Sequence, residues 1–209
     1  MNARHKWTLS ENLWSVSLAL GALIVLIVLI WVLLAQDRSF IHGLKSQYIG
    51  SETCRKCHEK EANSWENTRM AKSFEVLQPN VKRREKLLAH LDPDKDYTHD
   101  KNCLPCHTTG YGLVGGFVSI EKTPQMAGVG CESCHGPGGM YAETIMSLKD
   151  PTFKTAEVRK TGLIYPPKAD VCKTCHNKNS PFVGMNYVFN YEERVKKGSH
   201  QHFKLKYEH

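Results

Sequence analysis

Four copies of one five-residue pattern contain the residues best suited to chemistry. Each copy has two cysteines separated by two residues, with a histidine directly after the second cysteine. This Cys-x-x-Cys-His pattern is the attachment signature of c-type haem. The thiols bind the porphyrin vinyl groups, and the histidine supplies the proximal iron ligand. The sequence therefore predicts four covalently bound haem c groups. The predicted attachment cysteines are Cys54, Cys57, Cys103, Cys106, Cys131, Cys134, Cys172 and Cys175, and the predicted proximal ligands are His58, His107, His135 and His176.

Two other uses of paired cysteines compete with haem attachment. Two Cys-x-x-Cys pairs can hold a structural zinc ion, and a single pair can act as a redox dithiol. Neither use requires a histidine directly after the second cysteine, and here the histidine follows all four pairs. The motifs also contain all eight cysteines of the chain, which leaves none for a disulfide. The pattern favours haem.

Composition limits the other classes of function. The chain has 209 residues, and the roughly 170 that follow an N-terminal anchor correspond to one domain by the usual length expectation. Outside the N-terminus that domain is poor in aliphatic residues, so we expect haem to form much of its core and the haem-free chain not to fold stably. The formal net charge is +7, but haem propionates offset much of it, so no nucleic-acid partner is predicted. Basic patches could steer acidic redox partners.

An almost continuously apolar run near the N-terminus predicts one transmembrane helix. It extends from about Val16 to Ala35, and twenty residues at helical rise span about 30 Å, the thickness of the hydrocarbon layer. A cleaved signal peptide is the alternative, although its apolar region is usually shorter and Leu33 stands where a small residue is wanted. Arg4 and Lys6 predict a cytoplasmic N-terminus. Since haem is attached on the outer face of the bacterial inner membrane, the rest of the chain is predicted to be periplasmic.

These observations predict a mainly α fold with little β structure and much loop. We expect a signal-anchor over residues 1–36, a polar linker over 37–48 and a periplasmic tetrahaem domain over 49–209. Apolar periodicity and proline positions predict helices. A glycine-rich stretch over residues 110–120 predicts a small hairpin or an irregular loop. The predicted helical segments are 62–77, 81–91, 141–148, 155–160 and 191–197.

Several stretches outside the motifs resemble the tetrahaem cytochrome c-554 family. They include Asn67-Thr68-Arg69-Met70-Ala71-Lys72, Gly128–Gly138 around the third motif, and His200-Gln201-His202-Phe203-Lys204-Leu205. The likeness covers about residues 49–206. It implies a mostly helical fold around closely packed haems and electron transfer as the main activity. It also implies that three haems have two axial histidines, and that the haem of His107 has an open face at which nitric oxide reduction has been proposed.

This chain differs from the family it resembles at the positions of the distal haem ligands. The family has a histidine where this chain has Met70, and methionine is a legitimate haem ligand that raises the reduction potential. In the region beyond the third motif where the family has another ligand histidine, this chain has Met140 and Met146. His200 or His202 matches the C-terminal distal histidine, with His200 favoured. The pairing of these candidates with His58, His135 and His176 stays open.

The leading functional hypothesis is an electron carrier rather than an enzyme. It would relay electrons between a quinol-linked or membrane partner and another periplasmic redox protein. One alternative is a quinol dehydrogenase of the single-anchor tetrahaem type, which has the same topology. Another is reduction of nitric oxide or a similar small ligand at an open haem. A fourth possibility is a fixed subunit of a larger membrane complex.

Overall fold

A computed structural model describes residues 5–45, 47–148, 154–180 and 188–204. Within these ranges all regular elements are helical and there is no strand, which confirms the mainly α prediction. The nearest approach to a sheet is one isolated antiparallel bridge between Thr108 and Ala127. The chain divides into two compact units, residues 1–42 and residues 43–209.

The first unit is formed by most of a single long helix, α1 (His5–Lys45). Within its segment Val16–Phe40 a stretch of 18 residues has a mean hydropathy of 3.2 and no burial against protein, which is compatible with a membrane anchor or a signal sequence. The helix continues through the first nine positions of the predicted 37–48 linker. No proline interrupts these positions, and the Ser39 hydroxyl donates to the Ala35 carbonyl at 3.0 Å, so nothing ends the helix there.

The second unit contains short helices joined by turns. Two single 3₁₀ turns cover Glu75–Leu77 and Pro124–Met126. The α-helices are α2 (Ser51–Arg55), α3 (Glu59–Glu66), α4 (Arg83–Leu88), α5 (Leu104–His107), α6 (Cys131–His135), α7 (Gly139–Ser147), α8 (Thr155–Lys160), α9 (Ala169–Lys173) and α10 (Tyr191–Gly198).

The predicted helices agree with this arrangement to different degrees. The predicted segment 155–160 coincides with α8, and the segments 141–148 and 191–197 match α7 and α10 within two residues. The helix predicted over 62–77 ends at Glu66 instead, because the Thr68 hydroxyl accepts the Ala71 backbone N–H in place of a helical carbonyl. The stretch 110–120 is an irregular loop of successive turns rather than a hairpin.

The protein core of the second unit is small. Among the residues that the structure describes, its main cluster has six buried side chains, in which the rings of Phe74 and Phe117 lie 5.3 Å apart. This core lies beside the second motif, since one of its members is the first residue of α5. The small size agrees with the expectation that haem contributes to the core. Its members are Phe74, Leu77, Tyr97, Leu104, Phe117 and Met126.

Candidate functional site

Each cysteine motif is built on one turn of helix. The backbone N–H of the second cysteine donates to the carbonyl of the first in three motifs, over 3.1 Å in the first motif and 3.2 Å in the second and fourth. The third motif is the helix α6 itself. Residues three apart on a helix lie on the same face, so each turn presents both thiols on one side. This is the arrangement that attachment to one porphyrin edge requires.

Two of the motif histidines are oriented by backbone carbonyls. The Nδ1 of His107 lies 2.6 Å from the carbonyl oxygen of Ser73, and the Nδ1 of His135 lies 3.1 Å from that of Ile164. When Nδ1 donates its proton to a carbonyl, the lone pair is on Nε2 and the ring cannot rotate freely. Both rings therefore have Nε2 available to bind iron.

The other two histidines have different surroundings. The Nε2 of His58 lies 3.4 Å from the hydroxyl of Tyr141 on α7. The ring of His176 stacks on Phe189, with centroids 4.7 Å apart and planes inclined by 18°. Tyr141 thus brings α7 to the first motif, and Phe189 covers one face of the fourth-motif imidazole.

Burial favours the neutral form of all four motif histidines. It lowers the pKa of His58, His107 and His135 below the ordinary imidazole value, because a charged ring loses hydration there, and the partial desolvation of the more exposed His176 ring lowers its pKa in the same direction. For His107 the bond to the Ser73 carbonyl acts in the opposite direction, but burial dominates. A neutral imidazole is the form that can donate its lone pair to iron.

The C-terminal histidines lie opposite the third motif. The ring centroid of His200 is 6.3 Å from that of His135, and His202 is a further 5.0 Å from His200. An imidazole nitrogen lies about 2.0–2.1 Å from a bound metal ion. Two imidazoles on opposite sides of one iron therefore have centroids roughly 6 Å apart. The His135 and His200 spacing fits such a pair, and the bond from the Gln201 N–H to the Ser64 hydroxyl, at 2.8 Å, fixes this tail to α3.

The three candidate methionines occupy different environments. Met70 is half-buried, and its carbonyl accepts the Val129 N–H at 3.0 Å, which places it beside the entry to the third motif. Met140 is half-buried in the first turn of α7, whereas the side chain of Met146 is 68% exposed near its end. Residues of α7 project at 100° intervals, so neither shares the face that Tyr141 turns toward His58. The assignment of the methionines as distal ligands stays a prediction.

Cysteines of different motifs lie next to one another. The thiols of Cys54 and Cys131 lie close enough to shift each other's pKa, and so do those of Cys106 and Cys175. Interaction between the first two thiols raises the pKa of Cys54 and lowers that of Cys131. The helices α6 and α9 are also in contact. The first motif therefore adjoins the third, the second adjoins the fourth, and the third adjoins the fourth.

A buried carboxylate connects the first and third motifs. Glu132, at 2% exposure, accepts backbone N–H groups from Ile49 at 3.0 Å, Gly50 at 2.8 Å and Gly138 at 2.7 Å. Burial raises the pKa of this carboxyl, and the three hydrogen bonds oppose that shift. The Glu132 side chain thereby joins the segment that precedes α2 to the segment that follows α6.

Several of these contacts were not predicted from the sequence. The carbonyls of Ser73 and Ile164 belong to the backbone, so no residue type could reveal them. Tyr141 has no spacing that distinguishes it from an ordinary aromatic residue on a helix. Glu132 offers the one usable clue, since it stands inside a cysteine motif that glycines follow at positions 136, 138 and 139.

Comparison with known proteins agrees with this geometry. The family described as cytochrome c554 and c-prime matches residues 53–136, which include the first three motifs. Cytochrome c-554 of Nitrosomonas europaea is 37% identical over 181 residues, covering 76% of this chain and 77% of that protein. The structure of reduced cytochrome c554 from the same organism superposes with a TM-score of 0.67 at 36% identity, covering 77% of this chain and 88% of that one. The chain belongs to the cytochrome c554 family of multihaem electron-transfer proteins, in which c-type haem is covalently bound.

Proposed function

We propose that the protein is a membrane-anchored tetrahaem cytochrome that relays electrons between redox partners in the bacterial periplasm. The repeated turn geometry supports four haems, one on each motif. Haem supplies reversible one-electron chemistry at iron, and the protein supplies ligands, orientation and burial. The attachment residues are the eight cysteines of the four motifs, and the proximal ligands are their four histidines.

The close spacing of the four motifs is the main support for the proposed electron relay. Cys54 of the first motif lies beside Cys131 of the third, and Cys106 of the second lies beside Cys175 of the fourth, close enough for each thiol to shift the pKa of its neighbour. The contact between α6 and α9 links these two pairs. Porphyrins attached at these positions would form a continuous series of neighbours. A series of this kind suits electron transfer between two partners better than catalysis at one centre.

The distal ligands differentiate the four sites. The spacing of 6.3 Å supports His200 as the distal ligand opposite His135, with the ring of His202 next to it at 5.0 Å. Met70 is proposed for one of the remaining motifs. Methionine and histidine together give a higher potential than two histidines, so that site would be the most oxidising. His107 is proposed to carry the haem with the open face.

The N-terminal helix is proposed to be a retained anchor. The candidate span Val16–Phe40 has 25 residues, and its apolar run to Ala35 is already long enough to cross the hydrocarbon layer. Arg4 and Lys6 support a cytoplasmic N-terminus and a periplasmic haem domain. Such an anchor would keep the relay near a quinol-linked or membrane-bound donor.

Substitution of the C-terminal histidines tests the ligand assignment. In oxidised His200→Ala, electron paramagnetic resonance should show one low-spin ferric signal replaced by a high-spin signal, with the haem content unchanged. His202→Ala is the matched control and should keep all low-spin signals. If His202→Ala causes the conversion, or neither variant does, the assignment of His200 is wrong.

A second candidate function is the direct oxidation of quinol. It is favoured by a cavity of about 430 Å³ in the haem-binding unit, lined in part by Gln47, Tyr48, Gln125 and Glu143. Quinol hydroxyls could bond to these polar groups, and Glu143 could accept a proton. Reduction of the purified protein in liposomes by a quinol analogue, and its loss in Glu143→Gln, would support this activity. Haem reduction at the same rate in both proteins would exclude a role of the cavity.

A further inference from the structure

Lys86 on α4 is a buried cation that has no carboxylate partner. It is 3% exposed, and its Nζ donates to the Gln78 carbonyl at 2.5 Å and lies 5.4 Å from the centre of the Tyr97 ring. Among the residues that the structure describes, it forms no ion pair with a carboxylate. Lysine is rarely buried without such a pair, because the loss of hydration of a charge costs free energy. The burial of Lys86 therefore indicates a role that needs a charge at this position.

Tyr97 connects Lys86 to the second cysteine motif. Its ring belongs to the buried core cluster, and Cys103 packs against the same cluster. Along the backbone, the Asp100 N–H donates to the Tyr97 carbonyl at 3.0 Å, and the Cys103 N–H donates to the Asp100 carbonyl at 2.9 Å. The charge of Lys86 reaches Cys103, where it opposes the rise in thiol pKa that burial causes. A haem attached through Cys103 would lie in the same electrostatic field.

Lys95 places a second cation against the same aromatic ring. Its Nζ lies 5.0 Å from the Tyr97 centroid, but its side chain is 56% exposed and forms an ion pair with Asp100 at 4.0 Å. Asp100 and Lys95 shift the pKa of the Cys103 thiol in opposite directions, so the effects of this pair largely offset each other. Lys86 thus differs from Lys95 in burial and in the absence of a paired carboxylate within the described part of the chain.

The carboxylates whose charges act on Lys86 lie at the surface. All three are exposed, and they are Asp96, Asp92 and Asp94, of which the last pairs with Arg83. Burial lowers the pKa of Lys86, Arg83 adds to that shift, and the three carboxylates oppose it. The carbonyl oxygen and the aromatic face also favour the ammonium form. Because water and salt screen exposed charges more than buried ones, the carboxylates cancel only part of the field of the ammonium group.

A fixed cation favours the reduced form of a neighbouring haem. Ferric iron carries one more positive charge than ferrous iron, so its repulsion from an ammonium group is stronger. Coulomb's law with an effective dielectric constant of about 20 gives roughly a tenfold change in the reduction equilibrium for a unit charge about 10 Å away. Burial and nearby charges are among the means by which a protein sets the potential of its haem.

We propose that Lys86 is a buried cation that raises the reduction potential of the haem on the second motif. The inference rests on the proposed covalent haem at Cys103 and Cys106. Lys86 acts through its charge and is not a ligand of the iron. It would make the second motif a better electron acceptor than the iron ligands alone would make it.

Substitutions of the two lysines beside Tyr97 test the proposal in the full-length holoprotein. Lys86→Met and Lys86→Gln remove the buried charge, and Lys86→Arg retains it. Lys95→Met is the matched control, because it removes an exposed charge against the same ring. Haem content is measured first, and the four midpoint potentials are then measured by redox titration followed by electron paramagnetic resonance. Magnetic resonance contacts between haem protons and Cys103 identify the haem of the second motif.

The proposal predicts that both neutral Lys86 variants lower the ferrous-to-ferric ratio of the second haem about tenfold at a fixed ambient potential, which equals about 59 mV for one electron. Lys95→Met should change that ratio less than about threefold, because an exposed ion pair contributes little. Lys86→Arg should keep the native potential.

Several results would overturn the proposal. They are an unchanged second haem in the neutral Lys86 variants, an equal shift in Lys95→Met or in Lys86→Arg, and shifts of equal size in all four haems. A holoprotein that assembles with Lys86→Arg but with neither neutral variant would show that the charge serves folding, which also overturns it. Fewer than four haems in the unaltered protein would instead overturn the proposed tetrahaem function.

Discussion

The region of the first three motifs and the region of the fourth differ in how the protein holds its haem-binding residues. Glu132 and the core around Phe117 fasten the first region from within. Among the described residues 154–204, only Val158 and Thr161 are buried, and His176 is exposed with Phe189 stacked on it. The comparison indicates that the protein shapes the first three sites, whereas the fourth depends more on haem for its structure.

The largest expected effect comes from removing one attachment site from each region. Cys131→Ser with Cys134→Ser should lower the yield of folded holoprotein at least about tenfold, since small losses of stability already change abundance several-fold. Cys172→Ser with Cys175→Ser should leave a protein that retains three covalent haems. Haem staining of denaturing gels, together with the yield of soluble protein, measures both outcomes. Equal losses in the two variants would remove the distinction between the regions.

Loss of the buried carboxylate should give the next largest effect. Glu132→Ala leaves three backbone N–H groups without their acceptor, and each unsatisfied buried donor costs about 1–3 kcal/mol. We expect the free energy of unfolding to fall by about 3 kcal/mol or more in denaturant titrations. Glu85→Ala on α4, an exposed glutamate, is the control, where a surface change should stay within about 0.5 kcal/mol. A Glu132 variant as stable as the control would contradict the role of this side chain.

A smaller effect is expected at the contact between α3 and the entry to the third motif. The Trp65 indole N–H donates to the Val129 carbonyl at 2.9 Å, and Trp65→Phe removes that donor while keeping an aromatic ring. The expected loss is about 1 kcal/mol, measured by thermal unfolding in detergent. Trp31→Phe, in the exposed apolar segment, should leave the melting temperature unchanged. Identical melting curves for both variants would show that the bond contributes nothing.

The smallest effect is expected in the fourth region. Phe189→Ala removes the ring that stacks on His176, and aromatic contacts of this kind contribute about 0.5–1.5 kcal/mol. Because His176 is exposed, the expected loss of stability lies at the low end of that range. Potentiometric titration should show the main shift in one haem, because the contact of Phe189 within the described part of the chain is with His176. A shift in several haems would mean that the fourth region is coupled to the first more tightly than its packing suggests.

The sequence predicted the parts of the site that covalent chemistry fixes. Attachment of one porphyrin requires both thiols and the imidazole on one turn, so the motifs can be read from spacing alone. The contacts that orient these groups link distant positions, as in Ser73 with His107 or Ile49 with Glu132, which are 34 and 83 residues apart. These partners become neighbours only in the folded chain, so no local sequence pattern predicts the contacts.

The bounds of the helices were likewise only partly predictable from the sequence. The bounds of α8 were predictable because Pro151 and Pro166-Pro167 bracket the segment. The early end of α3 was not predictable, because the apolar spacing from Ala62 to Leu77 is typical of one continuous helix. The hydrogen bond to the Thr68 hydroxyl that replaces a helical bond cannot be read from that spacing. The extension of α1 to Lys45 was missed because a polar segment lacks the periodicity that marks a helix, although nothing in it stops one.

Intact-mass measurement of the denatured full-length protein tests the central claim most directly. Thioether-linked haem survives denaturation, whereas zinc and loosely bound haem do not. The account predicts one species heavier than the polypeptide by four haem masses. A species with fewer haems, or a bare polypeptide, would contradict the assignment of one covalent haem to each motif.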